Sequence, residues 1–474
     1  MPSSTTLLHG PIHKALLSLA IPIVLGQILQ SAYQLTDAFW VGRLGAAEVA
    51  AVSVSTPVTF LVIALGAGLA MAGATLSAQY MGAGNKEQVN LVAAQTLIMV
   101  LFISVVLGLS GYLLSPYFLT LLNVESEVYE NALSFMHVSF IGVIFVFIFA
   151  MFQSLMRGIG EVKVPLFIVL GTVLLNLVLD PLFIFGISNF DGLGVTGAAL
   201  ATLVTQALAA IIGIIILLKG RHGIHLSWAH FVPDFTYMRR ALFLGVPGSV
   251  ELSARALGLI ILSFLVASFG TVTIASYGVG SNILQFVTIP AMGLSMAVST
   301  LVGQNLGAKQ TDRAAKAAII GSIWGFAALS MIGIVCYVFA PQIVAVFVPQ
   351  QTEVIRHGSE FVRTMSLTWG FMAVQLCITG AFRASGNMMN SMVLSLLAQW
   401  VFLFPIAYLL SKHTRLDTAG IWWSFAVTNV LIALVCICWF ARGSWKHTRL
   451  TEDEKEIAHI TEESLIEVDD RHVP

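Results

Sequence analysis

Residues 68–83 read GLAMAGATLSAQYMGA, and 225 positions later residues 293–308 read GLSMAVSTLVGQNLGA. Nine of the sixteen positions recur identically: Gly68, Leu69, Met71, Ala72, Thr75, Leu76, Gln79, Gly82 and Ala83. The offset holds without a gap back to Pro22 and Pro247, through Phe39/Phe264, Gly45/Gly270 and Ala50/Ala275. A solvated linker has no physical reason to repeat itself so closely, so the chain reads as a duplicated domain. The echo continues in SLMRGIG (154–160) against GAFRASG (380–386), which pairs Arg157 with Arg383, and in GAALATLVT (197–205) against GIWWSFAVT (420–428). Gly and Ala at this spacing let helices approach closely, and Gly82-Ala83 and Gly307-Ala308 end a helix, so each phrase reads as a packed span with its stop.

The composition is 57% hydrophobic and 10% charged, with a mean hydropathy of +0.90. A soluble domain carries roughly 25% charged residues, so water is not the main solvent of this chain. A bilayer-spanning helix needs about 20 mostly apolar residues. With charged residues as punctuation, and over-long runs split at Gly, Pro and Asn clusters, twelve spans emerge: 15–41, 49–73, 91–114, 131–155, 164–187, 195–218, 240–267, 273–298, 317–340, 362–382, 389–411 and 419–441. The first run is too long for a signal-peptide core and reads as a helix. The expectation is an all-α membrane protein of twelve transmembrane helices in two six-helix lobes. Six is even, so both halves enter the membrane in the same direction, related by a pseudo-two-fold along the membrane normal.

With both termini on the cytoplasmic side, that side carries seventeen of the twenty-three Lys and Arg residues, which is the orientation that positive charge favours. The expected organisation is a cytoplasmic N-terminus (1–14), a first lobe (15–218), a cytoplasmic linker (219–239), a second lobe (240–441) and an acidic cytoplasmic tail (442–474). From Thr451 onward the tail holds nine acids and two bases, with a short amphipathic helix expected around Ile457, Ile460 and Leu465. Cys336, Cys377, Cys436 and Cys438 all fall in spans and read as small apolar residues. The irregularly spaced His222, His225 and His230 belong to a plain linker. No Gly-rich phosphate loop, HExxH or GxSxG pattern occurs, which leaves nucleotide-driven and hydrolytic readings without support.

Function is to be sought among the charges left inside the spans: Asp37, Asp180, Glu251 and Arg255. Each costs about 2.5 to 3.5 kcal/mol at mid-membrane on insertion scales and needs a partner or a polar cavity. Counted from the outer ends of their spans, Asp37, Asp180 and Thr202 lie roughly 9 to 12 Å deep, at 1.5 Å per residue, so they can share one site. Gln30, Tyr33 and Asp37 fall on one helix face, and Asn176 and Asp180 on another. Two carboxylates in one low-dielectric cavity do not both ionise freely, so the pair is expected to take up a proton, or a small cation bridged with the help of Asn176 and Thr202. Glu251 and Arg255, at i and i+4, read as an intrahelical ion pair.

At these residues the chain resembles the multidrug and toxic compound extrusion (MATE) transporters. The likeness rests on Pro22 through LTDAFWVGRLG (35–45), on NLVLDPLFI (176–184), on MRGIG (156–160) and on the second-half copies. It implies two lobes around a central cavity and export of organic cations or other amphipathic compounds against proton or sodium flow. Carried over position by position, it places cation or proton coupling at Asp37, Asn176, Asp180 and Thr202, cavity lining at Gln30, Tyr33 and Gln153, and a helix bend at Pro22. The NorM-like branch has a glutamate where Arg255 stands and an aspartate in span ten, whereas 366–383 holds no acid. The chain is therefore more similar to the DinF-like branch. The expected function is a secondary antiporter of the inner membrane, working as a monomer on a small-molecule substrate within the lipid bilayer. No nucleic acid, no cofactor beyond H+ or Na+ and no metal beyond that sodium is expected. The alternatives are a lipid-linked precursor flippase of the same superfamily, which would line its cavity with several basic residues, and a membrane-embedded enzyme, for which the charges supply only Asp37 and Asp180.

Overall fold

The structure, a computed structural model, describes residues 4–122, 124–187, 190–446 and 450–451. The amphipathic helix expected around Ile457, Ile460 and Leu465 lies outside these residues. A short α1 (Ser4–His9) precedes the first lobe, which comprises α2 (Ile12–Val41), α3 (Ala46–Gly82), α4 (Lys86–Leu121), α5 (Ser126–Gly158), α6 (Lys163–Phe185) and α7 (Gly194–Lys219). Between α6 and α7, β1 (Gly186–Ile187) pairs antiparallel with β2 (Phe190–Asp191). The linker holds a single 3-10 turn at Trp228–Phe231. It is fastened to α4 by Gln95, whose Nε2 donates to the carbonyls of His230 (2.8 Å) and Val232 (2.6 Å). The second lobe comprises α8 (Phe235–Ala267), α9 (Thr271–Gly307), α10 (Thr311–Val338), α11 (Ala340–Phe347), α12 (Thr352–Ser366), α13 (Trp369–Ala384), α14 (Met388–Leu396), a π-helical stretch at Leu397–Leu403, α15 (Phe404–Lys412) and α16 (Thr418–Ala441).

Among the described residues, eleven helices are long and apolar enough to cross a bilayer, with Met388–Lys412 counted as one, and the bent pair α12–α13 brings the number to twelve. The tenth span departs from the reading of an unbroken helix over 362–382: the chain turns by 52° between Ser366 and Trp369. The hydroxyls of Ser366 and Thr368 donate to the carbonyls of Arg363 (2.9 Å) and Met365 (3.0 Å), capturing acceptors that a continuing helix would use. Beyond the bend, fully buried Trp369 anchors α13 in the second-lobe core.

The repeated phrase lies at the seam between the lobes. Helices α3 and α9 are 37 residues each, roughly 55 Å at 1.5 Å per residue, and their C-terminal ends project past the hydrocarbon thickness to meet one another. A Cβ on Gly82 would stand 1.9 Å from the Gln304 carbonyl oxygen, and one on Gly307 would stand 1.9 Å from that of Gln79. Only glycine permits this backbone contact, and it does so twice, once from each copy. The repeated glutamines act reciprocally as well. Gln79 Nε2 donates to the Ala384 carbonyl (2.8 Å), at the end of α13, and Gln304 Nε2 donates to the Gly158 carbonyl (2.9 Å), at the end of α5. Each glutamine satisfies an orphan carbonyl at a helix C-terminus in the opposite lobe. Residues near both limits of the described chain reach the same seam: the Leu7 carbonyl accepts from Asn305 Nδ2 (3.4 Å) and Arg313 Nη2 (3.2 Å), while the Leu450 amide donates to Gln79 Oε1 (3.0 Å).

Inside the second lobe, Glu251 is held differently from the expected pairing with Arg255. Its carboxylate, 2% exposed, accepts from Arg383 Nη2 (2.8 Å), Ser391 Oγ (2.9 Å) and Ser395 Oγ (2.9 Å), and no ion pair joins it to Arg255 among the described residues. A carboxylate in a membrane interior takes the partner that packs over it, and α13 and α14 supply three donors where the neighbouring turn of α8 supplies none.

Two expectations follow. Gly82→Ala and Gly307→Ala each force the lobes apart at a backbone contact and should cost about 1–3 kcal/mol, as overpacking does; wild-type melting in detergent by both variants would show that the lobes do not meet there. Arg383→Ala strands the Glu251 carboxylate and should cost about 3–5 kcal/mol, with the double change Glu251→Ala, Arg383→Ala recovering part of the loss. A double variant that melts no higher than Arg383→Ala would break this assignment.

Candidate functional site

The three residues singled out by depth, Asp37, Asp180 and Thr202, meet Asn176 in the first lobe. Asn176, on α6, directs one amide nitrogen at two carboxylates: Nδ2 donates to Asp37 Oδ1 on α2 (2.5 Å) and to Asp180 Oδ2 one turn further along α6 (2.8 Å). Thr202 on α7 makes a longer contact, its Oγ1 standing 3.4 Å from Asp37 Oδ2. Asn176 and Asp180 are fully buried. Asp37, accepting from Asn176 on α6 and from Thr202 on α7, thus ties three helices together at a single level, near the C-terminal ends of α2 and α6 and the N-terminal end of α7. This is where α6, running into Pro181, and α7, beginning at Gly194, come together below the β1–β2 hairpin.

The bonding leaves oxygens over. Asn176 Oδ1 and Asp180 Oδ1 are both buried and have no partner among the described residues. Unpaired acceptors in a low-dielectric interior are costly, and carboxylate, amide and hydroxyl oxygens facing one another are the groups that a proton or a hard monovalent cation satisfies. Among the described residues no group of three or more His, Cys, Asp or Glu stands in a metal-binding arrangement.

The polar stripe of α2 divides between two adjoining cavities. One, of about 240 Å³, is lined by Pro22, Gly26, Gln27, Gln30, Gln153, Arg157 and Gln206 with apolar neighbours. The other, of about 250 Å³, is lined by Gln34, Asp37, Thr56, Thr59, Thr202 and Gln206 among others. Gln206 and Val146 border both. Tyr33, expected to line the cavity, lines neither: it is buried, its hydroxyl 2.6 Å from Thr205 Oγ1. Gln30, Gln153 and Pro22 therefore line the first cavity, while Asp37 and Thr202 open on the second. Thr205, Gln27 and Gln206 escape a reading that starts from charge, although Gln27 lies one turn before Gln30 and Tyr33. Arg157 also lines the first cavity, and its repeat partner Arg383 was the visible signal. Glu251 and Arg255 lie in the other lobe.

Known proteins place the chain and its fold. The chain is 28% identical to the probable multidrug resistance protein YoeA of Bacillus subtilis (strain 168), over 91% of this chain and 94% of the relative. It is 24% identical to the probable multidrug resistance protein NorM of Thermotoga maritima, over 94% of this chain and 95% of that one. Its fold superposes on the outward-facing conformation of a multidrug resistance MATE family transporter of the MOP superfamily, with a TM-score of 0.88 and 24% identity over 94% of this chain and 99% of the other. The MatE family model matches residues 22–182 and again 247–409, once in each lobe. The duplication read from the Gly-rich phrase is thus the family's own, and the chain belongs to the MATE family of membrane transporters.

Proposed function

We propose that this protein exports organic cations or amphipathic, drug-like compounds by alternating access, in exchange for protons or sodium ions. The observation that carries the reading is the single Asn176 amide holding Asp37 and Asp180 side by side. Two carboxylates so close repel one another, and the arrival of a proton or a sodium ion relieves that repulsion. Asp37, Asp180, the Asn176 carbonyl oxygen and the Thr202 hydroxyl would hold a sodium ion, which supplies positive charge that the lobe otherwise lacks at that level. Ion binding favours a conformation in which α2, α6 and α7 draw together, and ion release favours one in which they part. A ligand shifts such an equilibrium only through its different affinity for the two states.

The displacement has a route to the seam. Helix α2 carries Asp37 near one end, and nearer the other it packs Val24 against Gly293 and Gln27 against Met296 of the second lobe (Nε2–Sδ 3.8 Å). Pro22 lies just beyond these contacts, within a helix that runs on past it. Its missing N–H removes the donor due to the Ser18 carbonyl and makes this the yielding point of α2. The names of the relatives, multidrug resistance proteins, support a role in small-molecule export. We place the chain in the inner membrane with both termini cytoplasmic, on the strength of its Lys and Arg distribution. It stands nearer the DinF-like branch because its second lobe offers Arg255 and no acid over 366–383 where the NorM-like pattern has acids.

Asp37→Asn and Asp180→Asn are each expected to abolish gradient-driven export while the protein still folds and inserts. Counter-transport in proteoliposomes, with proton and sodium gradients imposed separately, checks this and identifies the ion; normal transport by both variants would remove the site from the mechanism. Pro22→Ala restores the backbone donor and is expected to slow turnover several-fold with little change in substrate affinity. A lost affinity at an unchanged rate would make Pro22 a packing residue.

A further inference from the structure

The two lobes differ where a charge is held, and the difference opens a site. In the second lobe, Arg383 is neutralised by Glu251, which Ser391 and Ser395 also hold (2.9 Å each). Arg157 is the first-lobe counterpart of Arg383. The offset of 225 sets Gly26 opposite Glu251, and the alignment that sets Arg157 opposite Arg383 also sets Pro165 and Val169 opposite Ser391 and Ser395. Arg157, Gly26, Pro165 and Val169 all line the first-lobe cavity of about 240 Å³. Where one lobe has a filled polar plug, the other has an open space of matching position.

Arg157 has little to satisfy it there. Its Nη2 donates to Ser154 Oγ (2.7 Å), and no carboxylate pairs with it among the described residues. The nearest acid in sequence, Glu161, directs Oε1 at the first amides of α6, Lys163 N (3.1 Å) and Val164 N (3.4 Å). A guanidinium has five N–H donors and stays charged, so a single hydroxyl leaves most of its capacity free for a group in the cavity that it lines. Space is present as well: a Cβ on Gly26 would meet only Leu166 Cδ1, at 3.9 Å. The amides of Gln27, Gln30 and Gln153 border the same cavity.

We infer that the first-lobe cavity is a subsite for a carboxylate-bearing guest, whose carboxylate binds Arg157 as Glu251 binds Arg383. The subsite rests on the export reading for its purpose, since it makes acidic or zwitterionic amphiphiles part of the substrate range. A planar guest is fixed at one end by the planar, two-donor edge of the guanidinium, and its apolar body lies against Ile23, Phe149 and Leu166. The duplicated chain itself supplies the decisive variant: Gly26→Glu returns to the first lobe the acid that the second lobe has, and so occupies the site from within.

The test uses the purified full-length protein in detergent, without any gradient, and two probes of one shape: 2-naphthoate and its uncharged amide, 2-naphthamide. Apparent Kd values come from the ligand-dependent rise in melting temperature. In the wild type, naphthoate is expected to bind about ten-fold or more tighter than the amide. Arg157→Gln should bring that ratio to near one, Arg157→Lys should keep part of it, and Gly26→Glu should abolish the preference while melting no lower than wild type. A wild-type ratio near one, or a preference that survives Gly26→Glu, overturns the inference. Because binding is read without transport, failed export with an intact naphthoate preference would count against the export reading alone.

Discussion

A backbone-to-backbone contact between two copies of one phrase organises this molecule. Gly82 against Gln304 and Gly307 against Gln79 bring the ends of α3 and α9 closer than any side chain would allow, and the reciprocal glutamine bonds fix the register of that contact. The first-lobe cavity of about 240 Å³ reaches this seam, since Arg157, which lines it, precedes Gly158, whose carbonyl Gln304 holds. Both cavities of the first lobe lie along α2, the helix that touches the seam with one part and carries Asp37 on another. The polar groups proposed to couple transport therefore stand on an element that also touches the seam.

Much of this is legible in the sequence because a membrane makes helices long and apolar and makes every interior charge conspicuous. Twelve spans and two lobes follow from run length and from the 225-residue offset. Asp37, Asn176, Asp180 and Thr202 come together because depth along a membrane helix can be counted at a fixed rise per residue, and three residues at one level on neighbouring helices have few ways to avoid one another. Pairing was harder to read. Spacing sees only the local neighbour, so Glu251 points to Arg255, whereas its partner is Arg383, 132 positions away. The break before Trp369 carries no Gly or Pro at Leu367 or Thr368; it arises from hydroxyls competing for carbonyls and from a buried indole, neither of which has a periodicity.

Duplication also shows how sequence drift changes chemistry while the scaffold persists. The helix ends after Gly82 and Gly307 close in the same way, with Asn85 N to the Tyr80 carbonyl (3.0 Å) in one copy and Gln310 N to the Asn305 carbonyl (2.8 Å) in the other. They do so even though the left-handed position is Gly84 (φ 74°) in the first and Lys309 (φ 62°) in the second. The strain of a non-glycine residue there is tolerated because the seam requires the turn. Interior polar positions are under no such joint constraint. Asp37 and Asp180 lie in one copy and Glu251 in the other, so the lobes share an architecture and divide the electrostatics.

The seam has a further consequence for how the protein is made. Gln79 and the Ala384 carbonyl it serves are 305 positions apart. At about 5–20 residues per second, synthesis takes roughly a quarter of a minute to a minute to supply that partner. Until then the first lobe stands in the bilayer with the end of α3 uncovered and its glutamine unmatched, and Leu450, which completes the same contact, is added later still. The first lobe must hold together during this interval on a buried cluster that still lacks Met388 and Leu450, whereas the second lobe emerges beside a lobe already made.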